Sequence, residues 1–321
     1  MTGLLERLGV EVPIFQAGMG GGIAGHELAA AVSEAGGLGT IGILDPPALH
    51  EEIQAARALT GKAIAVNLLL PFARPGHWTV ASEADAVVTF WGRPRRQTNK
   101  VWIHQCGSVE EALEAHAAGA DAVIAQGIEA GGHVRSTTPA LVLLERVRLA
   151  LPEEFPVLLA GGVGSAGDVK RALDHGAAAA VAGTRFVLTD ECRAHPAYKQ
   201  RLDQATETVL TELFGAGWPD APHRVISNAA TERWLGGDLR GPAWVRALNR
   251  RSAPVLSRLS ASAVARVASR QRGWIPFYGP VSPLAGDSSR MVDAAPLYAG
   301  ESVARIRQVQ PAGELTRRLA P

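Results

Sequence analysis

Two short stretches decide the fold: Val157-Leu158-Leu159-Ala160-Gly161-Gly162-Val163-Gly164-Ser165 and Ala178-Ala179-Ala180-Val181-Ala182-Gly183-Thr184-Arg185. Each is an apolar run ending in a glycine turn that leads towards a helical pattern. Such a turn leaves backbone N–H groups free to hold an anionic group. Further upstream lie Pro13–Ala17, Leu38–Leu44, Ala63–Leu69, Ala86–Phe90, Val101–Gln105 and Ala122–Ala125, which also read as short strands. Between them, Glu27–Ala35, Pro47–Leu59, Val109–Ala118, Leu141–Ala150 and Ala166–His175 repeat apolar positions at three and four and read as helices. Parallel strands need crossovers of about a dozen residues or more, so eight strands alternating with helices give a parallel sheet. An open doubly wound sheet would carry its phosphate turn after the first strand, with an acid closing the second. Gly18–Gly22 follows the first strand, but that acid is missing in the usual register. Glycine turns after strands seven and eight are where a closed (β/α)8 barrel holds phosphate. The sequence therefore reads as α/β, a (β/α)8 TIM barrel.

Beyond Asp190 the alternation stops. A helix is expected over Pro196–Glu207, a loop over Phe214–Pro222, an Arg/Ser/Ala helix over 253–272 and a loop over Gly273–Asp287. A last helical pattern over Ser302–Leu319 is broken at Pro311. These readings give a barrel of residues 1–192 plus 296–321 and a smaller, mainly helical C-terminal insertion, 193–295, acting as cap or substrate domain. Pro71–Glu83 and Gly92–Lys100 are too short or too polar for full crossover helices.

The chain has 321 residues, 47% hydrophobic and 20% charged, enough for one large domain with an appendage. A net charge of +1 argues against a polyanion, and so against nucleic acid, as the main partner. The charge is uneven: from Arg240 onward 13 Arg face 4 acids, and the preceding part carries the opposite excess. A solvated basic surface accounts for this without a nucleic-acid-binding motif. Cys106 and Cys192 have no zinc or disulfide-framework spacing, and no His/Asp/Glu spacing suggests a metal site. No uncharged stretch approaches the roughly 20 residues of a membrane span, and the first residues lack a signal-peptide pattern. A cytoplasmic protein without a membrane partner is expected.

The densest chemistry lies after the sixth strand, in Ala125-Gln126-Gly127-Ile128-Glu129-Ala130-Gly131-Gly132-His133. Barrel sites are built from loops at strand C-termini. Gly131 and Gly132 would let the main chain approach a flat ring, and His133 brings an imidazole suited to acid–base work near neutrality. Other readings carry less. Cys106 shares a strand face with His104 and Trp102, which allows a nucleophile–base pair but more ordinarily means core packing. Trp78 and Trp91 either wall a pocket or plug the flank left by the short crossovers. His26 and His195 read as structural.

These segments, with Gln16-Ala17-Gly18-Met19-Gly20, Val66-Asn67-Leu68, Leu159-Ala160-Gly161-Gly162-Val163 and Gly183-Thr184-Arg185-Phe186, resemble the nitronate monooxygenases, formerly 2-nitropropane dioxygenases. The resemblance extends through Thr189-Asp190-Glu191, Thr208–Thr211 and Tyr298-Ala299-Gly300-Glu301, and is least clear between 235 and 295. It implies an FMN-dependent barrel in which Met19, Asn67, Gln126, Gly131, Gly161, Gly162, Gly183 and Thr184 bind FMN and His133 is catalytic. It further implies oxidation of alkyl nitronates by O2 to a carbonyl compound and nitrite or a related nitrogen oxide. His133 would serve as base for neutral nitroalkanes. Three departures stand out: Gly18 where the family commonly has Pro, Arg135 two residues beyond His133, and the abbreviated third and fourth crossovers. Two alternatives stay open. One is an NAD(P)H-dependent flavin reductase of the enoyl-thioester or quinone type, which shares the Glu-Ala-Gly-Gly-His segment. The other is a non-catalytic phosphate- or flavin-binding scaffold.

Overall fold

A computed structural model describes residues 3–256, 258–259, 263, 266 and 270–321. Eight parallel strands form the barrel: β1 (Ile14–Gln16), β2 (Gly39–Ile41), β3 (Ile64–Leu69), β4 (Ala86–Phe90), β5 (Val101–Cys106), β6 (Ala122–Gln126), β8 (Val157–Ala160) and β9 (Ala180–Ala182). The intervening β7 (Gly132–His133) lies outside it. The strands are ordered β1-β9-β8-β6-β5-β4-β3-β2, and the ring closes between β1 and β2. That seam is thin. Gln16 N–H donates to the Leu38 carbonyl at 2.9 Å, and Leu38 N–H to that of Ile14 at 2.9 Å. The Gln16 side chain reinforces it, accepting from Thr40 N–H at 2.8 Å.

Two apolar layers hold the barrel. Phe15, Leu38, Ala65, Val88, Ile103, Ile124, Leu158 and Val181 pack together inside, joined by Leu4, Leu5 and Leu8 of α1 (Gly3–Leu8). The barrel interior is thus packed side chain on side chain. The outer layer buries the opposite strand faces under α2 (His26–Glu34), α3 (Pro46–Leu59), α5 (Val109–Ala117), α6 (Ala140–Ala150) and α7 (Ala166–Asp174). Local signals place these helices. Ser108 and Ser165 cap α5 and α7, each accepting an N–H three residues on, and Pro46 and Pro47 begin α3.

The third crossover contains the one short helix α4 (Pro75–Ala81); the fourth, between Phe90 and Val101, has none. Trp78 is buried on α4 against Leu49, Ile53 and Ala81, so it plugs the flank. After β9 come α8 (Thr184–Val187), α9 (Pro196–Gln204), α10 (Ala229–Trp234) and α11 (Ala243–Leu256). Residues 253–256 of the helix expected over 253–272 end α11; 257 and most of 260–269 lie outside the described residues. The segment also holds strands not expected from its sequence, β10 (Val209–Thr211) and β11 (His223–Val225). They pair antiparallel with each other, and β11 pairs with β7. The closing segment forms a 3₁₀ turn at Glu301–Arg305 and a helix at Ala312–Leu319, separated at Pro311. No helix among the described residues is long and apolar enough to cross a membrane.

Candidate active site

A cavity of about 740 Å³ opens at the strand C-termini. Met19, Asn67, Gln126, Gly131, His133, Gly161, Gly162, Gly183 and Thr184 all line it, so every site residue expected from the sequence meets in one place. The β1 and β3 sides bring Met19 and Asn67. Asn67 is buried and donates from Nδ2 to the Val88 carbonyl at 3.4 Å. Its Cβ occupies the space above Gly18: a methyl on Gly18 would stand 2.2 Å from it.

The β6 loop is braced from within. Gln126 Nε2 donates to the His133 carbonyl at 3.0 Å, and its Oε1 accepts from Arg135 N–H at 3.4 Å. The carboxylate of Glu129 caps α6 by accepting from Ala140 N–H at 2.9 Å. Gly131 lies against the returning chain, where an added Cβ would come within 2.5 Å of Gly300 N. The return is tied down by Gly300 N–H donating to Thr184 Oγ1 at 2.8 Å, Glu301 N–H to the Glu129 carbonyl at 3.0 Å, and Arg305 to the Gly162 carbonyl at 2.8 Å. Arg224 joins the same corner, donating to the Ile128 carbonyl at 2.8 Å and pairing with Glu301 at 3.1 Å.

Aromatic rings surround His133. Trp218 stacks on it, centroids 3.8 Å apart and planes at 21°; Trp91 meets it edge-on at 6.0 Å, and Tyr298 and His223 lie at 5.5 and 5.3 Å. Burial holds the His133 pKa well below the usual imidazole value, and His223 opposes a second charge. Among the described residues, His133 Nε2 and Trp218 Nε1 are buried without a hydrogen-bond partner. Glu212 Oε2 and both side-chain amide atoms of Asn249 share that state, so it is the place of His133 and Trp218 on the cavity wall that singles these two out.

His223 differs. Its Nδ1 lies 2.9 Å from the Ala221 carbonyl, and its Nε2 accepts from Phe214 N–H at 3.3 Å. Both nitrogens are committed, so the ring is fixed as the neutral Nδ1–H tautomer. Burial pushes its pKa down to about 4. His133 is the imidazole left with an uncommitted nitrogen.

Other residues settle into place. Cys106 and His104 do not pair: the thiol meets the Ile124 carbonyl at 3.4 Å, and His104 Nδ1 meets Thr89 Oγ1 at 2.8 Å. Burial raises the thiol pKa, which suits packing and not a nucleophile. Arg135 forms an ion pair with Glu111 and lies 4.9 Å from the centre of the Trp91 ring. It does not govern the His133 pKa. His195 caps α9 by accepting from Ala197 N–H at 3.1 Å. His26, Glu27 and Glu52 form a cluster of metal-ligand type that the sequence spacing did not suggest, their ligand atoms within 4.8 Å of one another. The Arg193 guanidinium supplies its positive charge, 2.6 Å from each carboxylate. Trp218 and Tyr298 escaped the sequence reading as wall residues. The only local signal for Trp218 was the Gly/Pro/Trp-rich character of its loop.

A nitronate monooxygenase family model matches residues 2–101 and 90–321. A nitronate monooxygenase of Pseudomonas aeruginosa is 35% identical over 292 residues, covering 72% of this chain and 82% of that protein. The (3aS,4S,5R,7aS)-5-hydroxy-7a-methyl-1-oxo-octahydro-1H-indene-4-carboxyl-CoA dehydrogenase of Mycobacterium tuberculosis is 32% identical, covering 74% and 69%. Among solved structures, FabK from Thermotoga maritima superposes with a TM-score of 0.77 at 28% identity, covering 99% of this chain and 94% of that one. A nitroalkane oxidase from Streptomyces ansochromogenes gives 0.75 at 27%, covering 98% and 96%.

Proposed function

Because the chain belongs to the nitronate monooxygenase family, we propose that it is an FMN-dependent oxidoreductase that uses O2 to oxidise alkyl nitronates and, through His133, neutral nitroalkanes. The products are a carbonyl compound and nitrite or a related nitrogen oxide. The observation that carries this reading is His133 itself: a desolvated imidazole with an uncommitted Nε2, on the wall of a cavity floored by glycine turns.

The residues present fit a flavin. Gly132 and Gly162 have φ of +77° and +74°; a Cβ on Gly132 would meet nothing within 4 Å, and one on Gly162 only the Glu129 Cβ at 3.9 Å. These turns leave a cradle that a side chain would otherwise fill. Gly161, Gly162, Gly183 and Thr184 would hold the phosphate through backbone N–H groups. Asn67, Gln126, Gly131 and Met19 would bound the ring, the two amides contributing polar atoms at its edge. FMN, when bound, supplies the electron-transfer chemistry that no side chain here offers.

The chain's own residues manage the proton. Neutral His133 is the base-competent form, and burial keeps it neutral at physiological pH. The His133 imidazole takes the proton from the carbon beside the nitro group, leaving an imidazolium next to the nitronate anion formed in the same step. That pairing offsets the cost of a charge in a dry site. The neighbouring His223, locked neutral, adds no competing cation. A substrate that arrives as the nitronate skips this step.

His133→Ala is expected to keep its yellow cofactor and its nitronate turnover while losing neutral-nitroalkane turnover by roughly 100-fold or more. Steady-state oxygen consumption with both substrate forms checks this; equal rates on the neutral form would remove the base role.

A second reading has its own support. The overlap with FabK and the similarity to a carboxyl-CoA dehydrogenase favour a flavin reductase or dehydrogenase acting on a thioester, with NAD(P)H as partner. Anaerobic mixing with NADH or NADPH separates the two: rapid bleaching of the flavin band supports the reductase, and an unbleached flavin supports the oxygenase.

A further inference from the structure

Two loops that are distant in sequence converge on the His133 ring, and a third backs one of them. Trp218, from the segment between β10 and β11, stacks on it. Trp91, from the β4–β5 loop, touches both rings edge-on, 6.0 Å from His133 and 5.1 Å from Trp218. Phe72, from the β3–α4 loop, packs edge-on against Trp218 at 5.1 Å. Trp91 adopts an uncommon backbone, with φ of +64°. A bulky residue held in that left-handed region costs free energy and persists only where its surroundings over-determine it. Here they do. Arg135 lies over the Trp91 ring, and Glu111 anchors Arg135 while accepting from Gly107 N–H at 2.7 Å.

We propose that Trp218 is a positioning residue for His133, fixing the plane of the imidazole against the cavity, and that Trp91, clamped by Arg135 and Glu111, holds Trp218 in place. A free imidazole has a broad second side-chain torsion and would sample several directions. The stack removes that freedom on one face, and Trp91 and Tyr298 limit it at the edges. The short fourth crossover makes this possible: with no helix between Phe90 and Val101, Trp91 is free to turn inward.

The inference rests on the reading of His133 as a base, and its test has a readout separate from activity. The titratable or charged groups facing the ring are His223 on β11 and Tyr298 on the returning chain, with Arg135 and Glu111 behind Trp91. Histidine-selective NMR titration of flavin-loaded Trp218→Ala is expected to show the His133 pKa moving up towards the ordinary imidazole value as water replaces the indole. Neutral-nitroalkane kcat should fall about 100-fold, as expected when a reacting group loses alignment. The loss on neutral nitroalkanes should exceed that on nitronates by about tenfold or more, since no proton is removed from the nitronate. Trp218→Phe, which keeps a stacking face, should recover most of the loss, and Arg135→Gln should reproduce a smaller part of it. An unchanged His133 titration in Trp218→Ala, or an equal loss on both substrate forms in Trp218→Phe and Arg135→Gln, overturns the proposal. If His133→Ala proves harmless while the titration still moves, the positioning stands and the base role falls.

Discussion

Gly18 and Asn67 contend for one volume. Glycine at 18 lets the Met19 turn lie directly on Asn67, and a methyl there would stand 2.2 and 2.8 Å from the Asn67 Cβ and Cγ. Overpacking of this kind typically costs about 1–3 kcal/mol. Gly18→Ala is therefore expected to push the Asn67 amide aside, lowering the melting temperature by several degrees and weakening flavin retention. Thermal denaturation and flavin absorbance after gel filtration would measure both; a fully loaded variant of unchanged stability would contradict the role given to Asn67. The sequence shows Gly18 as a departure from the family's usual Pro but not its reason, because the contact joins β1 and β3 through space. His133 was legible for the opposite cause: its loop carries glycines, an acid and an imidazole in one unbroken run. His223 was not, since its locked tautomer depends on Phe214 and Ala221, which only the folded turn brings to its two nitrogens.

The elements that build the site differ in how openly they announce themselves. The barrel strands were readable because both faces are buried, leaving runs of apolar, β-branched residues between helical periods. β10 and β11 are no shorter than β1, β2 and β9, but they carry Thr211, His223 and Arg224 and pair antiparallel outside the barrel, so no buried apolar run marks them, and β7 is only two residues. Yet the pairing of His223 with His133 across β11 and β7 brings Trp218 over the His133 ring. The glycine turn before α8 yields a prediction at the same scale. A Cβ on Gly183 would touch only the Ala17 Cβ, at an ordinary 3.4 Å, and its φ is not left-handed. Gly183→Val should consequently fold normally while its branches project into the proposed phosphate cradle. Protein with an unchanged melting temperature in the flavin-free state and no bound FMN is expected; a fully loaded variant would show that this turn does not hold phosphate.

Across the whole molecule, buried neutral histidines tie stability to pH. Burial pushes His104 and His223 down to about 4 and holds His133 low as well. An unfolded histidine binds its proton near pH 6.5, so below that value the unfolded chain takes up protons that the folded one refuses. Stability should be complete above about pH 6.5 and fall as the pH drops towards 4, by about 3 kcal/mol for each of His104 and His223. Urea midpoints at pH 7.5, 6 and 4.5 would trace the decline, and a flat series across that interval would exclude it. The barrel as a whole was legible from strand count and the position of its glycine turns. The corner at residues 298–305 was legible only as a family likeness, because its contacts reach back to Thr184, Glu129 and Gly162. This has a consequence for synthesis. A nascent chain can lay down all eight staves while the cavity still lacks the side that Tyr298, Gly300 and Ser302 supply, so the pocket is completed only when those late residues have left the ribosome.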